Sequence, residues 1–245
     1  MAELSSSDRT FTISSFNTRW GLTIDDEPFD LPAVVSSFDT DVVALQEVWD
    51  PADDPGRLHS LASTLGYQVV AAPLAASFID PQPEITTDLQ RASGTWGIAF
   101  LSRLPVVDVE IIDLGRLVDR WDVATRYAVL ADVQVGSATV TIATVHLSFA
   151  LPNALAQLRR LNAVLPRNRL SVVVGDCNLW GPAAATALGG RRRAVRGRTW
   201  PAHRPHSQLD HILLSPGLRS EQGQVLPAAG SDHLPVKARL SITDR

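Results

Sequence analysis

The chain has 245 residues, 45% of them apolar and 20% charged, with a formal net charge of −4. This balance suits a globular protein and excludes both a disordered chain and a basic protein that coats nucleic acid over its whole surface. A single cysteine, Cys177, leaves no internal disulfide framework, and no apolar run is long enough for a membrane helix.

The polar start lacks the apolar centre of a secretory signal. Residues 1–9 are therefore expected to be a flexible arm, residues 10–245 one domain, and the compartment the cytoplasm. Strands are expected over 10–16, 41–46, 67–72, 96–101, 105–112, 126–135, 138–147, 170–175, 210–214 and 235–241, short runs rich in Val, Ile, Phe and Thr. Between the first two, Asp30 caps a helix with Pro32 in its first turn, where a missing N–H costs nothing. A second helix runs near 56–65 and stops at Gly66. Segment 74–93 reads as a long surface loop. Gly136-Ser137 suits a two-residue hairpin turn joining 126–135 to 138–147. Asn153 is expected to cap a third helix, with Leu155, Leu158, Leu161 and Leu165 as its apolar stripe. Val172-Val173-Val174 is apolar on consecutive positions, so that strand is buried on both faces. After a short Ala-rich helix, segment 181–208 reads as a second long loop. The mixture predicts an α+β fold of two packed, largely antiparallel sheets covered by helices.

Polar residues stand where the strands stop. Asn17 ends the first, Gln46 and Glu47 the second, and His146 the second arm of the hairpin. Asp176 and Asn178 follow the Val run, Asp210 opens a late strand, and Asp232 and His233 precede the last. Each alone has a plainer explanation: a solvated loop residue, a turn former or a satisfied buried histidine. Together they predict one polar cleft, since polar groups beside a core need partners. Glu47 and Asp232, with Asn17 nearby, offer the oxygens a Mg²⁺ or Mn²⁺ ion takes. Asp176 is placed to orient or deprotonate a water. Asn178 and His146 are placed to hydrogen-bond phosphate, and His233 to act beside Asp210.

The same stretches resemble the endonuclease/exonuclease/phosphatase superfamily, whose fold is that of deoxyribonuclease I. They are Ile13-Ser14-Ser15-Phe16-Asn17, Val42-Val43-Ala44-Leu45-Gln46-Glu47-Val48, Gly97-Ile98-Ala99-Phe100-Leu101-Ser102-Arg103, Thr144-Val145-His146-Leu147, Val174-Gly175-Asp176-Cys177-Asn178, Leu209-Asp210-His211-Ile212 and Ser231-Asp232-His233-Leu234-Pro235. Their order follows the family along the whole chain. The resemblance implies a four-layer α/β/β/α sandwich. It implies metal-site roles for Asn17, Glu47 and Asp232, and catalytic roles for His146, Asp176, Asn178 and the Asp210–His233 pair. Arg126, in Thr125-Arg126-Tyr127, matches an arginine many members carry near the substrate, beside Asn178 and His146. Two positions depart: Cys177 replaces an aromatic, and Arg19 stands where abasic-site repair members carry an acidic residue.

Other chemistries lack their motifs: no phosphate-binding Gly-Lys-Ser/Thr loop, paired-Cys zinc spacing, His-Glu-x-x-His or Gly-x-Ser-x-Gly occurs. Arg191, Arg192, Arg193, Arg196 and Arg198 form one basic cluster, read either as phosphate docking or as a solvated loop. Trp20, Trp49 and Trp180 follow site residues and either wall the cleft or pack in the core; Trp200 either stacks a base or anchors its loop. The expected partner is a phosphate ester, including nucleic acid, with no membrane span and no obligate protein partner. The leading expectation is a phosphodiesterase or nuclease that uses water directly, then a phosphomonoesterase on a small or lipid phosphate. A non-catalytic binder of a phosphorylated ligand is the alternative of another class.

Overall fold

The structure is a computed structural model that describes residues 9–79, 83–88, 90–117, 122 and 124–243. The expected N-terminal arm lies outside the described residues apart from Arg9. One sheet contains β1 (Thr10–Asn17), β2 (Val42–Pro51), β3 (Gln68–Phe78), β4 (Glu84–Ile85), β5 (Gly94–Ser102), β12 (Leu218–Val225) and β13 (Val236–Ile242). The other contains β6 (Val106–Asp113), β7 (Tyr127–Val135), β8 (Ala138–His146), β9 (Leu170–Asp176), β10 (Arg192–Arg193) and β11 (Asp210–Leu214). Their strand orders are β12-β13-β1-β2-β5-β3-β4 and β10-β11-β9-β8-β7-β6. Among the described residues, only β1–β2 and β8–β9 pair parallel. The predicted hairpin forms, with Val135 opposite Ala138 and Gly136 at φ 58.

Apolar side chains alternate between two cores along the central strands, as a pleat requires. Phe11, Ile13, Ile98, Phe100, Val129, Ile142, Val174 and Ile212 fill the space between the sheets. The outer face of the second sheet, with Ala143, Val145 and Val173, packs on Leu158 and Leu161 of α3 (Leu151–Val164) and on Ala184 of α4 (Pro182–Ala187). The outer face of the first, with Val43, Leu45 and Leu101, packs on Val35 and Phe38 of α1 (Leu31–Phe38) and Leu58 of α2 (Arg57–Thr64). At about 1.5–3 kcal/mol for each large side chain withdrawn from water, these three cores hold four layers together. Val172, Val173 and Val174 are buried on both faces, as their pattern requires.

Some expectations need correction. Asp30 does cap α1, its carboxylate accepting the Ala33 N–H at 3.0 Å. Asn153, however, does not cap α3, which begins at Leu151 with Ala150 as its N-cap. Pro152 needs no N–H partner in a first turn, so the helix starts ahead of Asn153. The Asn153 amide oxygen instead accepts the Leu117 N–H at 2.9 Å. Segment 74–93 is only partly loop: β3 continues to Phe78, and β4 pairs back onto Ser77 and Phe78. Segment 181–208 contains α4 and β10 before its irregular stretch. Strand β12 adds to the expected set. As an edge strand reading Leu-Arg-Ser-Glu-Gln-Gly-Gln-Val, it buries one residue and shows no apolar alternation.

Candidate active site

The site is the polar end of the core between the sheets. Residues of one strand face the same side at every second position. Val172 and Val174 lie in the inter-sheet core, so Asp176 follows them onto that face; Val140 and Ile142 direct His146 the same way, and Ile212 directs Asp210. Register then aligns them, with His146 opposite Asp176 on β8–β9 and Asp210 opposite Asp176 on β9–β11. Facing them, Ile13 and Ser15 lead to Asn17 on β1. Glu47 breaks the rule. Ala44 faces the inter-sheet core and Leu45 the helices, so regular alternation would send Glu47 to the helices. A bulge between Leu45 and Val48 shifts the phase: Val48 turns to the helix side and Trp49 to the inter-sheet side. Glu47, at φ 51, takes up the irregularity and joins the cluster.

Asn17 Nδ2 donates to Glu47 Oε1 at 3.0 Å and to Asp176 Oδ2 at 3.1 Å. His146 Nε2 faces the same two carboxylates at 3.8 and 3.7 Å. His233 Nδ1 bonds Asp210 Oδ2 at 2.9 Å, which aims Nε2 at Asp176 Oδ2, 3.8 Å away. Asn178, at φ 49, donates its backbone N–H to Asp176 Oδ1 at 2.8 Å and its amide to Leu147 O at 2.9 Å. Asp232 stands at the rim, held by the Trp200 indole N–H at 3.2 Å and by the Ser231 hydroxyl at 3.3 Å.

The sequence profile of the Endonuclease/Exonuclease/phosphatase family matches residues 14–233, spanning every one of these side chains. The chain belongs to this family. No curated protein matches it by sequence. Solved structures do. An endonuclease/exonuclease/phosphatase of Beutenbergia cavernae is 20% identical with a TM-score of 0.76, over 96% of this chain and 72% of its own. A mannosyl-6-phosphatase of Bacteroides thetaiotaomicron is 16% identical with a TM-score of 0.70, over 95% and 100%. The catalytic domain of human Nocturnin, with a bound sulfate, is 19% identical with a TM-score of 0.68, over 96% and 94%. At these identities the likeness speaks to the fold. Members of the family are typically phosphoester hydrolases that depend on a divalent metal.

Burial sets the charge states of this family member's cluster. It raises the pKa of Glu47, against the pull of the Asn17 amide. It also raises that of Asp176 to about 7, with Asp210 adding to the rise and His233 opposing it. Burial alone would lower His233, but the Asp210 and Asp176 carboxylates outweigh it and raise the imidazole to about 10. His146 is driven well below the usual range by burial, by Arg126 and by His233, and is neutral at pH 7.

Asp176, Asp210 and His233 offer ligand atoms within 4.8 Å of one another. An ion bound to all three would compete for the His233–Asp210 hydrogen bond. Glu47 fits a cation better: it is a desolvated carboxylate with Asp232 adding negative potential. The nearby Arg126 is already bound to Asp122 at 3.1 Å. The donors are oxygens, which suits a hard ion. Asn17 departs from the expected ligand role in one respect. Its amide oxygen accepts the Arg19 N–H at 3.1 Å, so it presents nitrogen to the carboxylates.

Arg126 is nearly fully buried, locked to Asp122 and laid over the Trp96 ring at 5.2 Å. Its influence on Glu47 and His146 is electrostatic. Sequence reasoning missed Asp122, although an acid four residues before Arg126 was a readable signal. It also missed Thr199, whose hydroxyl accepts the Leu209 and Asp210 N–H groups at 3.0 and 3.3 Å. The tryptophans divide. Trp20 stacks on Trp49 and Trp96, with ring centres 5.7 and 6.2 Å apart, and Trp96 meets His146 edge-on at 5.5 Å. Trp200 lies on the opposite flank, 6.5 Å from His233. The arginine cluster divides as well: Arg191 bonds Ser171 at the far end of β9, while Arg193, Arg196 and Arg198 lie beside Trp180.

Proposed function

We propose that this protein is a divalent-metal-dependent phosphodiesterase or nuclease in which water attacks phosphorus in line without a covalent enzyme intermediate. The observation behind this reading is the Asn17 bridge between Glu47 and Asp176, set against the Asp210–His233 pair aimed at the same Asp176 oxygen. It joins a cation-holding half to a proton-handling half across 159 residues of sequence. Binding a phosphate alone requires no such pairing.

Glu47 and Asp232 would hold the Mg²⁺ or Mn²⁺ ion. Asn17 joins them only by turning its amide oxygen inward, which gives up its bond to the Arg19 N–H. Once bound, the ion neutralises charge on the phosphoryl oxygens and lowers the barrier to attack. The protein's own groups do the rest. Asp176, with a pKa near neutrality, accepts the proton of the attacking water. His233 is protonated at pH 7 and faces the phosphate with Nε2 while Asp210 fixes its orientation. The second N–H of the Asn178 amide and the neutral His146 ring add hydrogen bonds to phosphate oxygens. Arg126 contributes positive potential from beneath, without contact. The aromatic flanks, Trp20 with Trp49 on one side and Trp200 on the other, suit a phosphate substituted on both sides, and so a diester.

Bis(p-nitrophenyl) phosphate and p-nitrophenyl phosphate, each with Mg²⁺ or Mn²⁺, test the reading. The expected result is faster release from the diester, abolished by a chelator and restored by excess metal. Turnover indifferent to chelation rules the reading out.

A further inference from the structure

The irregular stretch after β10 and the turn after Asn178 border an open surface hollow of about 390 Å³. Trp180, Arg193, Arg196, Arg198, His206 and Gln208 line it, and no carboxylate does. In a chain of net charge −4 this is a concentrated positive surface. Arg193 is tethered to Gln208 at 3.3 Å. Arg196 and Arg198 face the hollow, and among the described residues neither has a carboxylate partner.

Trp180 is 67% exposed, unlike Trp20, Trp49 and Trp96, which stack together against the core. Its indole face is thus open to solvent two residues after Asn178. A second hollow, lined by Leu155, Arg159 and Pro182, also borders Trp180. Both walls are tied to the site. Trp180 follows Asn178 by two residues, within about 7 Å of chain. The Gly181 N–H donates to Gln208 O at 3.1 Å, which binds the two loops together. His206 packs edge-on to Trp200 at 5.3 Å, and Trp200 holds Asp232.

We propose that Trp180, Arg196 and Arg198 form a subsite for the nucleotide next to the scissile phosphate, so that the substrate is single-stranded nucleic acid. The inference rests on the phosphodiesterase reading above and names its substrate class. An unpaired base stacks on the indole face; the two guanidinium groups take the adjoining backbone phosphate. A paired base keeps its faces buried in its own stack and gains nothing from Trp180.

Binding of a fluorescein-labelled oligothymidylate, about ten nucleotides long, tests this by anisotropy in chelator, where nothing is cleaved. Trp180→Ala is expected to weaken binding by about tenfold or more, the scale of one base–aromatic stack. Trp180→Phe is expected to recover most of that loss. Arg196→Ala with Arg198→Ala is expected to flatten the slope of log affinity against log salt by about 0.7 for each phosphate left without its arginine. The same strand annealed to its complement is expected to bind at least about tenfold more weakly. Equal affinity for Trp180→Ala and wild type, or for duplex and single strand, overturns the subsite. Hydrolysis of bis(p-nitrophenyl) phosphate with Mn²⁺ keeps the two claims apart. Diester cleavage without oligothymidylate binding overturns the subsite and leaves the phosphodiesterase reading intact. Binding with the predicted variant pattern, but no diester cleavage, overturns the phosphodiesterase reading and leaves the subsite.

Discussion

Glu47 and Asp176 share one amide donor, Asp176 fully buried and Glu47 largely so, and the imidazole nearest to Glu47, His146 at 3.8 Å, is neutral. Such a site favours protons or metal over free carboxylates. Glu47→Gln removes the buried charge and keeps an oxygen for the Asn17 amide. It is expected to raise the thermal midpoint of the metal-free protein by a few degrees, on the order of 1 kcal/mol, because a desolvation cost disappears. It is also expected to move the Mn²⁺ activation curve to higher concentration. A midpoint lowered by the substitution, or an unchanged metal curve, contradicts the role given to Glu47. His233→Ala and Asp176→Ala are expected to cut kcat by roughly 10²–10⁴-fold while the circular dichroism spectrum is kept. Wild-type turnover in both removes the proton-handling half of the mechanism. These residues were legible in the sequence because each borders an apolar run, where a polar side chain without a partner is costly. Most of their supports were not. Asp122 was readable from its spacing to Arg126, but Thr199 and Trp200 act through bonds that only the folded chain creates, with Trp200 reaching Asp232 across 32 residues.

At the scale of elements, the site depends on two local irregularities in otherwise regular strands. The bulge in β2 brings Glu47 to the inter-sheet face, and no periodicity in Val-Val-Ala-Leu-Gln-Glu-Val announces it. The β8–β9 pair depends on Gly175, at φ 139, where an added Cβ would stand 2.0 Å from Val145 O. Gly175→Ala therefore forces apart the two strands that align His146 with Asp176. It is expected to cost about 2–4 kcal/mol, read as a lower urea midpoint, with loss of activity following displacement of Asp176. An unchanged midpoint contradicts so close an approach of the two backbones. Apolar runs predicted most strands, since a strand facing two cores carries apolar residues on both faces. They failed for β12, an edge strand with one buried residue, and for the start of α3, which Pro152 rather than Asn153 determines.

Across the whole molecule, the outer core behind the second sheet closes over a buried histidine. His211 Nε2 donates to Leu179 O at 2.8 Å, and burial lowers its pKa below the usual 6.5. The unfolded chain binds this proton more readily than the fold does, so the contribution of His211 to stability is complete above pH 6.5 and falls as acid approaches the folded value. The thermal midpoint of the wild type is expected to lose ground to that of His211→Gln, which keeps a donor for Leu179, as pH falls below about 6.5. Equal slopes in the two proteins contradict this assignment. The four-layer plan follows from composition and patterning together with the family resemblance. The substrate-facing surface does not, because exposed loops such as 194–208 carry no periodicity to read.

One cation and one phosphate are expected to meet at the polar end of the inter-sheet core. A crystal grown with Mn²⁺ and inorganic phosphate, measured for anomalous scattering, tests this most directly. The expected result is a manganese peak on the Glu47 carboxylate with Asp232 facing it, and phosphate oxygens within hydrogen-bond reach of His146, Asn178 and His233 Nε2. A peak centred on Asp176, Asp210 and His233 with the His233–Asp210 bond broken, or no peak at Glu47 in saturating Mn²⁺, would contradict it.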